Sequence, residues 1–198
     1  MPIYISDVTD KYLETNCIEE NHLWHPASQI RSYYARQWYT DKPKAFISCC
    51  NSNCEFAYKM SEDLRRQGIF TFDFRQDVQS VTAKYANIAE FMRVRIEECF
   101  RDPNGKIVIF TNPEYKEKAD NPYGKNYDKG VVEEITIVQD MISEFPHSDT
   151  KLLFVCTDET LLPNRQLPTK YRKMNALEVR KFEYDDLLDA VASKIKRM

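Results

Sequence analysis

Two neighbouring glutamates, Glu133 and Glu134, lie in a segment whose apolar residues are spaced so that a carboxylate could stand at the border of a core. In NYDKGVVEEITIVQDMISEF (126–145), Val and Ile recur at three- and four-residue steps, which predicts a helix with one stripe on a core. At about 100° per residue, Glu133 falls about 170° from the centre of that stripe, in solvent, and Glu134 only about 70° away. A carboxylate at the border of a core can line a cleft. Both glutamates would also favour the positive helix N-terminus without any chemistry.

The six cysteines are the second group with potential reactivity. Cys49 and Cys50 are adjacent and precede a predicted helix, a position that can lower the pKa of a thiol. No histidine pairs with them in the sequence, so a thiol nucleophile is the lesser hypothesis. Cys17, His22 and His25 lack a matching second half, and we predict no metal site. Without a C-x-x-C pair, and with cysteines inside a predicted helix and a predicted strand, we expect free thiols in a reducing compartment.

Composition limits the broad class of the protein. The chain has 198 residues, 42% of them hydrophobic and 30% charged, which is enough for one sizeable domain. Its net charge of −3 gives no basic field, so we expect no nucleic-acid partner. No apolar run approaches the roughly 18 residues typical of a membrane span, and the first residues lack the pattern of a signal peptide. We therefore expect a cytoplasmic protein without a membrane partner.

Residues 1–42 differ from the rest of the chain. They contain both tryptophans and the tyrosine-rich run QIRSYYARQWYT, whose apolar spacing predicts a short helix over about 28–38. We interpret them as a partly helical N-terminal extension of a domain at 43–198. The extension either packs on that domain or presents its aromatic residues to another protein.

The domain at 43–198 alternates apolar runs with helical patterns. The predicted strands are KAFISCC (44–50), GIFTFDF (68–74), KIVIFT (106–111) and KLLFVCT (151–157), with a short edge strand near 177–181. The segment Asn112–Lys129 is predicted as a polar, tyrosine-rich loop. This order predicts an α/β, flavodoxin-like three-layer fold, in which a parallel sheet of four to five strands has helices on both faces.

In such sheets, ligands bind beyond the carboxyl ends of the strands. Three segments are predicted to converge there: the Ser48-Cys49-Cys50 loop, the Asp73–Ala86 loop and the loop that leads to Glu134. The run SCCNSNC after the first strand has no glycine, which excludes the Rossmann and P-loop fingerprints. The chain also lacks a Gly-x-Ser-x-Gly elbow and a convincing Ser-His-acid triad.

The ordered series of motifs resembles the TIR domain and its close relative, the SEFIR domain. KAFISCCNSN (44–53) is similar to the first TIR box, and LRRQGIFTFDF (64–74) to the strand that leads to the family's BB loop. IAEFMRVRIEECF followed by KIVIFTNPEYKEKAD looks more like SEFIR, and KGVVEE (129–134) is similar to the opening of the next helix. The resemblance covers about residues 44–197.

Enzymatic TIR domains cleave the nicotinamide–ribose bond of NAD with a glutamate at the start of that helix, which the resemblance places at Glu134. An ionised carboxylate there would stabilise the oxocarbenium-like ribose that forms as nicotinamide leaves. The resemblance implies an NAD+ glycohydrolase of an immune or cell-death signalling pathway, with NAD+ as substrate, no separate cofactor and self-association. The residues that it implies around NAD+ are Ser48, Cys49 and Cys50 from the first strand, Asp73, Phe74 and Arg75 from the second, and Tyr115 or Tyr123 stacked on a ring.

This chain departs from the family pattern at several positions. Gly130 stands where many active TIR domains have Trp, Cys49 and Asn53 replace the Tyr and Asp of the first box, and the loop at 76–86 lacks its usual glycine. SEFIR domains are best known as adaptors, so the alternative is a non-catalytic module that makes homotypic contacts and in which Glu134 only caps a helix. A third hypothesis is a deoxyribosyltransferase-like enzyme, in which Glu134 attacks ribose covalently.

Overall fold

The computed structural model describes residues 42–73, 88–121, 124, 129–144 and 148–196. The five strands in these ranges are β1 (Lys44–Ser48), β2 (Phe70–Asp73), β3 (Gly105–Thr111), β4 (Leu152–Cys156) and β5 (Ala176–Glu178). The α-helices are α1 (Cys54–Arg66), α2 (Ile88–Arg101), α3 (Pro113–Asp120), α4 (Lys129–Glu144), α5 (Pro163–Gln166) and α6 (Tyr184–Lys196). Each of the five predicted strands is confirmed: β1, β2 and β4 are slightly shorter than predicted, β3 begins one residue earlier, and β5 begins one residue earlier and is shorter.

All five strands are parallel and lie in the order β2-β1-β3-β4-β5. The predicted α/β, flavodoxin-like fold is therefore confirmed. The order reverses between β1 and β3, because the chain leaves β1 toward β2 on one side and leaves β3 toward β4 on the other. A crevice opens at such a reversal, at the carboxyl ends of the strands. In this protein, the order reverses between β1 and β3, whose carboxyl ends are Ser48 and Thr111.

Helices cover both faces of the sheet. On one face, α1 and α6 bury a hydrophobic core against β1, β3 and β4, and this core includes Ile47, Leu64, Phe110 and Val191. On the other face, α2 and α4 pack against each other, and α2 contacts β1 and β3. Phe46 and Phe72 stack on this second face with ring centroids 5.3 Å apart, and Arg95 of α2 lies over the Phe72 ring. Alternation along β1 therefore directs Ile47 toward α1 and Ser48 toward α4.

Two glycines allow tight connections. Gly68, which follows α1, has a φ of 82°, a conformation that glycine adopts at little cost. Gly105 begins β3 so close to the end of α2 that a Cβ atom would lie 2.1 Å from the Cys99 carbonyl oxygen. This second glycine is therefore required for space rather than for its dihedral angle.

The prediction of a loop over Asn112–Lys129 is wrong for its first half, where α3 forms. Asn112 is the N-cap of this helix, since its Oδ1 accepts a hydrogen bond of 2.8 Å from the Tyr115 backbone N–H, and Pro113 occupies the first turn. Both residues are typical of helix starts. The predicted N-terminal extension at 1–42 lies outside the described residues, apart from Lys42, and its helix at 28–38 stays a prediction.

Candidate functional site

Three buried polar side chains meet at the carboxyl end of β1. Ser48 Oγ donates a hydrogen bond to Glu134 Oε2 and lies 2.9 Å from Tyr115 Oη. The exposed fractions are 2% for Ser48, 6% for Glu134 and 0% for Tyr115. A carboxylate buried to this extent is costly unless it is hydrogen-bonded, and the carboxyl ends of parallel strands are where ligands bind in such sheets. We call these three residues the Ser48–Glu134–Tyr115 cluster.

Each member of the cluster comes from a different element. Ser48 ends β1 and faces α4, Tyr115 lies in the first turn of α3, and Glu134 lies in the second turn of α4. The helical stripe of α4 is confirmed, because Val131, Ile135 and Val138 are buried. Glu133 is half-buried rather than fully exposed as predicted. The buried face of α4 is wider than a single stripe because the helix packs against both α2 and α3.

Cys49 and Tyr58 lie next to the cluster and respond to its charge. Burial, followed by the Glu134 charge, raises the pKa of the Cys49 thiol. Burial and the neighbouring groups Cys49, Cys54, Asp73 and Glu134 raise the pKa of the Tyr58 hydroxyl. Both side chains are only partly buried, so each of them is accessible to solvent in part. Tyr58 was not predicted from the sequence, since a tyrosine inside the polar half of a helical pattern gives no signal.

The lesser hypothesis, in which the position near a helix start lowers the thiol pKa of Cys49 and Cys50, does not fit the structure. Burial also raises the pKa of the Cys50 thiol, against a smaller lowering by a hydrogen bond from Ser52. Cys49 is therefore held as a neutral thiol beside a carboxylate, and neither cysteine has the thiolate character of a nucleophile. Within the described ranges, Cys49, Cys50, Cys54, Cys99 and Cys156 are free, and Cys17 lies outside these ranges.

Asn53 and Asn112 hold the loop after β1 in place. Asn53 accepts a hydrogen bond of 2.9 Å from the Cys50 backbone N–H and donates one of 3.0 Å to the Phe110 carbonyl. Asn112 donates to Ser52 Oγ at 2.8 Å and accepts from the Cys50 thiol at 3.4 Å. Cys50, predicted to line an NAD site, is thus engaged in a contact that joins this loop to α3.

Asp73 lies on the opposite face of the sheet from the cluster. It pairs in register with Ile47, not with Ser48, so its side chain points toward α1. There it accepts a hydrogen bond of 2.6 Å from Ser61 Oγ and forms an ion pair with Arg65. The Asp73 charge reaches Cys49 and Tyr58, but its carboxylate is held by α1 rather than joined to Glu134.

The remaining predicted site residues divide into two groups. Tyr115 belongs to the cluster through its hydroxyl, but its ring is fully buried and offers no open face for the stacking that we predicted. Phe74, Arg75, Tyr123 and the loop at 76–86 lie outside the described residues, and their roles stay predictions.

In the part of the chain that the structure describes, no three His, Cys, Asp or Glu side chains are grouped to hold a metal ion. The helices in the same ranges are also too short or too polar to cross a bilayer. The fold and site together define an α/β, flavodoxin-like protein with a buried acid at the point where the strand order reverses. Comparison of the chain with protein-family models, curated proteins and solved structures finds no match.

Proposed function

We propose that this protein is an NAD+ glycohydrolase of the TIR type, with Glu134 as its catalytic carboxylate, acting in an immune or cell-death signalling pathway. The observation that supports this proposal is the burial of Glu134 at the carboxyl end of β1, hydrogen-bonded to Ser48. The crevice where the strand order reverses is the usual ligand site of such sheets. The resemblance of the sequence motifs to the TIR domain places the catalytic glutamate at Glu134, and Glu134 is also a buried acid of α4.

The proposed reaction breaks the bond between the ribose C1′ and the nicotinamide nitrogen. The bonding electron pair leaves with nicotinamide, which becomes neutral, and positive charge develops on the ribose ring. Water adds to C1′ and loses a proton, so that NAD+ and water give ADP-ribose, nicotinamide and H+. A negative charge removed from water acts strongly on a developing cation, and Glu134 would supply that charge.

The residues around Glu134 have defined roles in this proposal. Tyr58 and the Cys49 thiol lie within the electrostatic influence of Glu134, and both side chains are partly exposed to solvent. They would contact the ribose or the nicotinamide ring as NAD+ enters the crevice. Self-association through homotypic contacts, which the resemblance implies, belongs to the same proposal.

The test is nicotinamide release by the purified protein at high concentration, with the products resolved by chromatography. Release of nicotinamide together with ADP-ribose, or a cyclic isomer of it, is the expected result. Its absence at every protein concentration would refute the enzymatic proposal. If the inactive protein nevertheless self-associates in sedimentation experiments, a non-catalytic homotypic adaptor becomes the better assignment.

A further inference from the structure

The direction of the hydrogen bonds in the Ser48–Glu134–Tyr115 cluster follows from the number of protons available. An ionised carboxylate only accepts hydrogen bonds, and a serine hydroxyl has a single proton to donate. Ser48 Oγ gives that proton to Glu134 Oε2. The contact of 2.9 Å between Ser48 Oγ and Tyr115 Oη must then be donated by Tyr115. The hydroxyls of Tyr115 and Ser48 therefore form a directed chain that ends on the carboxylate.

The Tyr115 end of this chain is fixed by the backbone. Tyr115 is in the first turn of α3, and its N–H is bound at 2.8 Å by Oδ1 of the cap residue Asn112. Asn112 is itself joined to the loop after β1 through Ser52, at 2.8 Å. The same loop begins at Ser48. The end of β1 and the start of α3 are therefore joined in two ways, by the contact between Ser52 and Asn112 and by the contact between Ser48 and Tyr115.

Tyr115 also keeps its proton. Complete burial and the charge of Glu134 raise the pKa of the Tyr115 hydroxyl well above its usual value. The hydroxyl is consequently a donor at every pH at which the protein would work, and it does not compete as a base. A fully buried tyrosine with a polar end commonly finds a partner for its hydroxyl. Here that partner leads to an acid instead of a backbone carbonyl.

We propose that Tyr115 is a positioning residue that acts on Glu134 through Ser48, and that neither hydroxyl binds the substrate directly. This inference rests on the proposed function of Glu134. The chain of two donors fixes one carboxylate oxygen of Glu134, which sets the orientation of the carboxyl plane toward the ribose. It also assigns Ser48, expected from the sequence to line the NAD site, to the support of the acid.

Tyr115→Phe removes the hydroxyl from a fully buried ring and leaves the ring in place. Loss of a positioning hydrogen bond of ordinary strength is expected to lower kcat about tenfold with less than a twofold change in KM. The matched control is Tyr171→Phe, because the Tyr171 hydroxyl is also buried and has no hydrogen-bond partner among the described residues. Tyr171→Phe should leave both kinetic constants unchanged.

Ser48 is tested with two replacements of the same shape. Ser48→Thr keeps a hydroxyl, and Ser48→Val places a methyl group where threonine has oxygen, so any strain from the larger side chain is common to both. We expect Ser48→Thr to exceed Ser48→Val in kcat by about tenfold. Adding Tyr115→Phe to Ser48→Val should then cause no further loss, because the chain is already interrupted.

The outcomes separate the two proposals. An active wild-type protein whose kcat is unchanged by Tyr115→Phe, or a further loss of kcat when Tyr115→Phe is added to Ser48→Val, overturns the positioning role alone. A wild-type protein that never cleaves NAD+ overturns the positioning role together with the proposed function. A lowered kcat in Tyr115→Phe with unfolding midpoints equal to those of the wild type supports both.

Discussion

Replacing Asn53 by aspartate would place an acceptor where the structure requires a donor. Asn53 Nδ2 donates to the Phe110 carbonyl at 3.0 Å and to Thr157 Oγ1 at 3.3 Å. Thr157 Oγ1 in turn donates to the Thr111 carbonyl, so it already uses its proton. A carboxylate at position 53 would face two oxygens while 6% of its surface reached water. The first TIR box, which residues 44–53 resemble, has Asp at the position of Asn53, and the hydrogen bonds of Asn53 predict that aspartate would destabilise this chain.

The size of the effect follows from the cost of protonating the new acid. An aspartate held neutral at pH 7 costs about 1.4 kcal/mol for each pH unit above its ordinary pKa of about 3.9, which limits the charge penalty to about 4 kcal/mol. The neutral acid has one proton, so it restores one of the two donated bonds and loses the other, at about 1 kcal/mol. The free energy of unfolding of Asn53→Asp should therefore fall by up to about 5 kcal/mol at pH 7.

The pH dependence has a definite sign. The aspartate would have a raised pKa in the folded state, so the folded state would bind more protons than the unfolded state between about pH 4 and that raised pKa. Stability of Asn53→Asp relative to the parent should then fall as the pH rises through this range. At about pH 4, the difference should shrink to the cost of the single lost hydrogen bond.

Urea unfolding between pH 4 and pH 8 measures this difference directly. The matched control is Asn51→Asp, the same chemical change two residues earlier on an exposed position of the same turn. It should change the free energy of unfolding by no more than about 0.5 kcal/mol. If Asn53→Asp differs from the parent by less than about 1 kcal/mol at pH 7, or by the same amount at pH 4, the assigned donor role of Asn53 is incorrect.

Two further predictions concern the connections and the thiols. Gly105→Ala should lower the free energy of unfolding more than Gly68→Ala, because a Cβ atom at position 105 meets the backbone of Cys99. A Cβ atom at position 68 meets open space and costs only about 1 kcal/mol of backbone strain. Equal losses in chemical denaturation would contradict this prediction. Iodoacetamide should label native Cys49 more slowly at pH 7 than a free cysteine, since burial and Glu134 raise its pKa. The rate should still be rising above pH 9, and a plateau below pH 8 would refute the assignment.

Much of this fold was predictable from patterns that act locally. The apolar runs predicted the first four strands, because parallel strands buried on both faces are nearly continuous in their hydrophobicity. The fifth was predicted only as a short edge strand. The spacing of Val131, Ile135 and Val138 predicted the core face of α4 and placed Glu134 at its border. The same spacing predicted a fully exposed Glu133, which is half-buried in the structure. A helical wheel drawn from the sequence does not show that α2 and α3 both cover α4.

The errors came from information that the sequence does not carry locally. Asp73 ends its strand as Ser48 does, but the register places it beside Ile47 and therefore on the face of α1. No local pattern gives that register. The helix α3 was missed although Asn112 and Pro113 are a recognisable start, because the polar, tyrosine-rich composition of the segment was taken to indicate a loop. The proximity of Tyr58 to Glu134 depends on how α1 packs.

The most direct test of Glu134 as the catalytic carboxylate compares Glu134→Gln with Glu133→Gln in NAD+ cleavage. Glutamine keeps the size of the side chain and still accepts the Ser48 hydrogen bond, but it removes the charge. We expect Glu134→Gln to lose at least about 100-fold in kcat, and Glu133→Gln to stay within about twofold of the wild type. Equal activity of the two variants, with both folded by circular dichroism, would contradict the central role of Glu134.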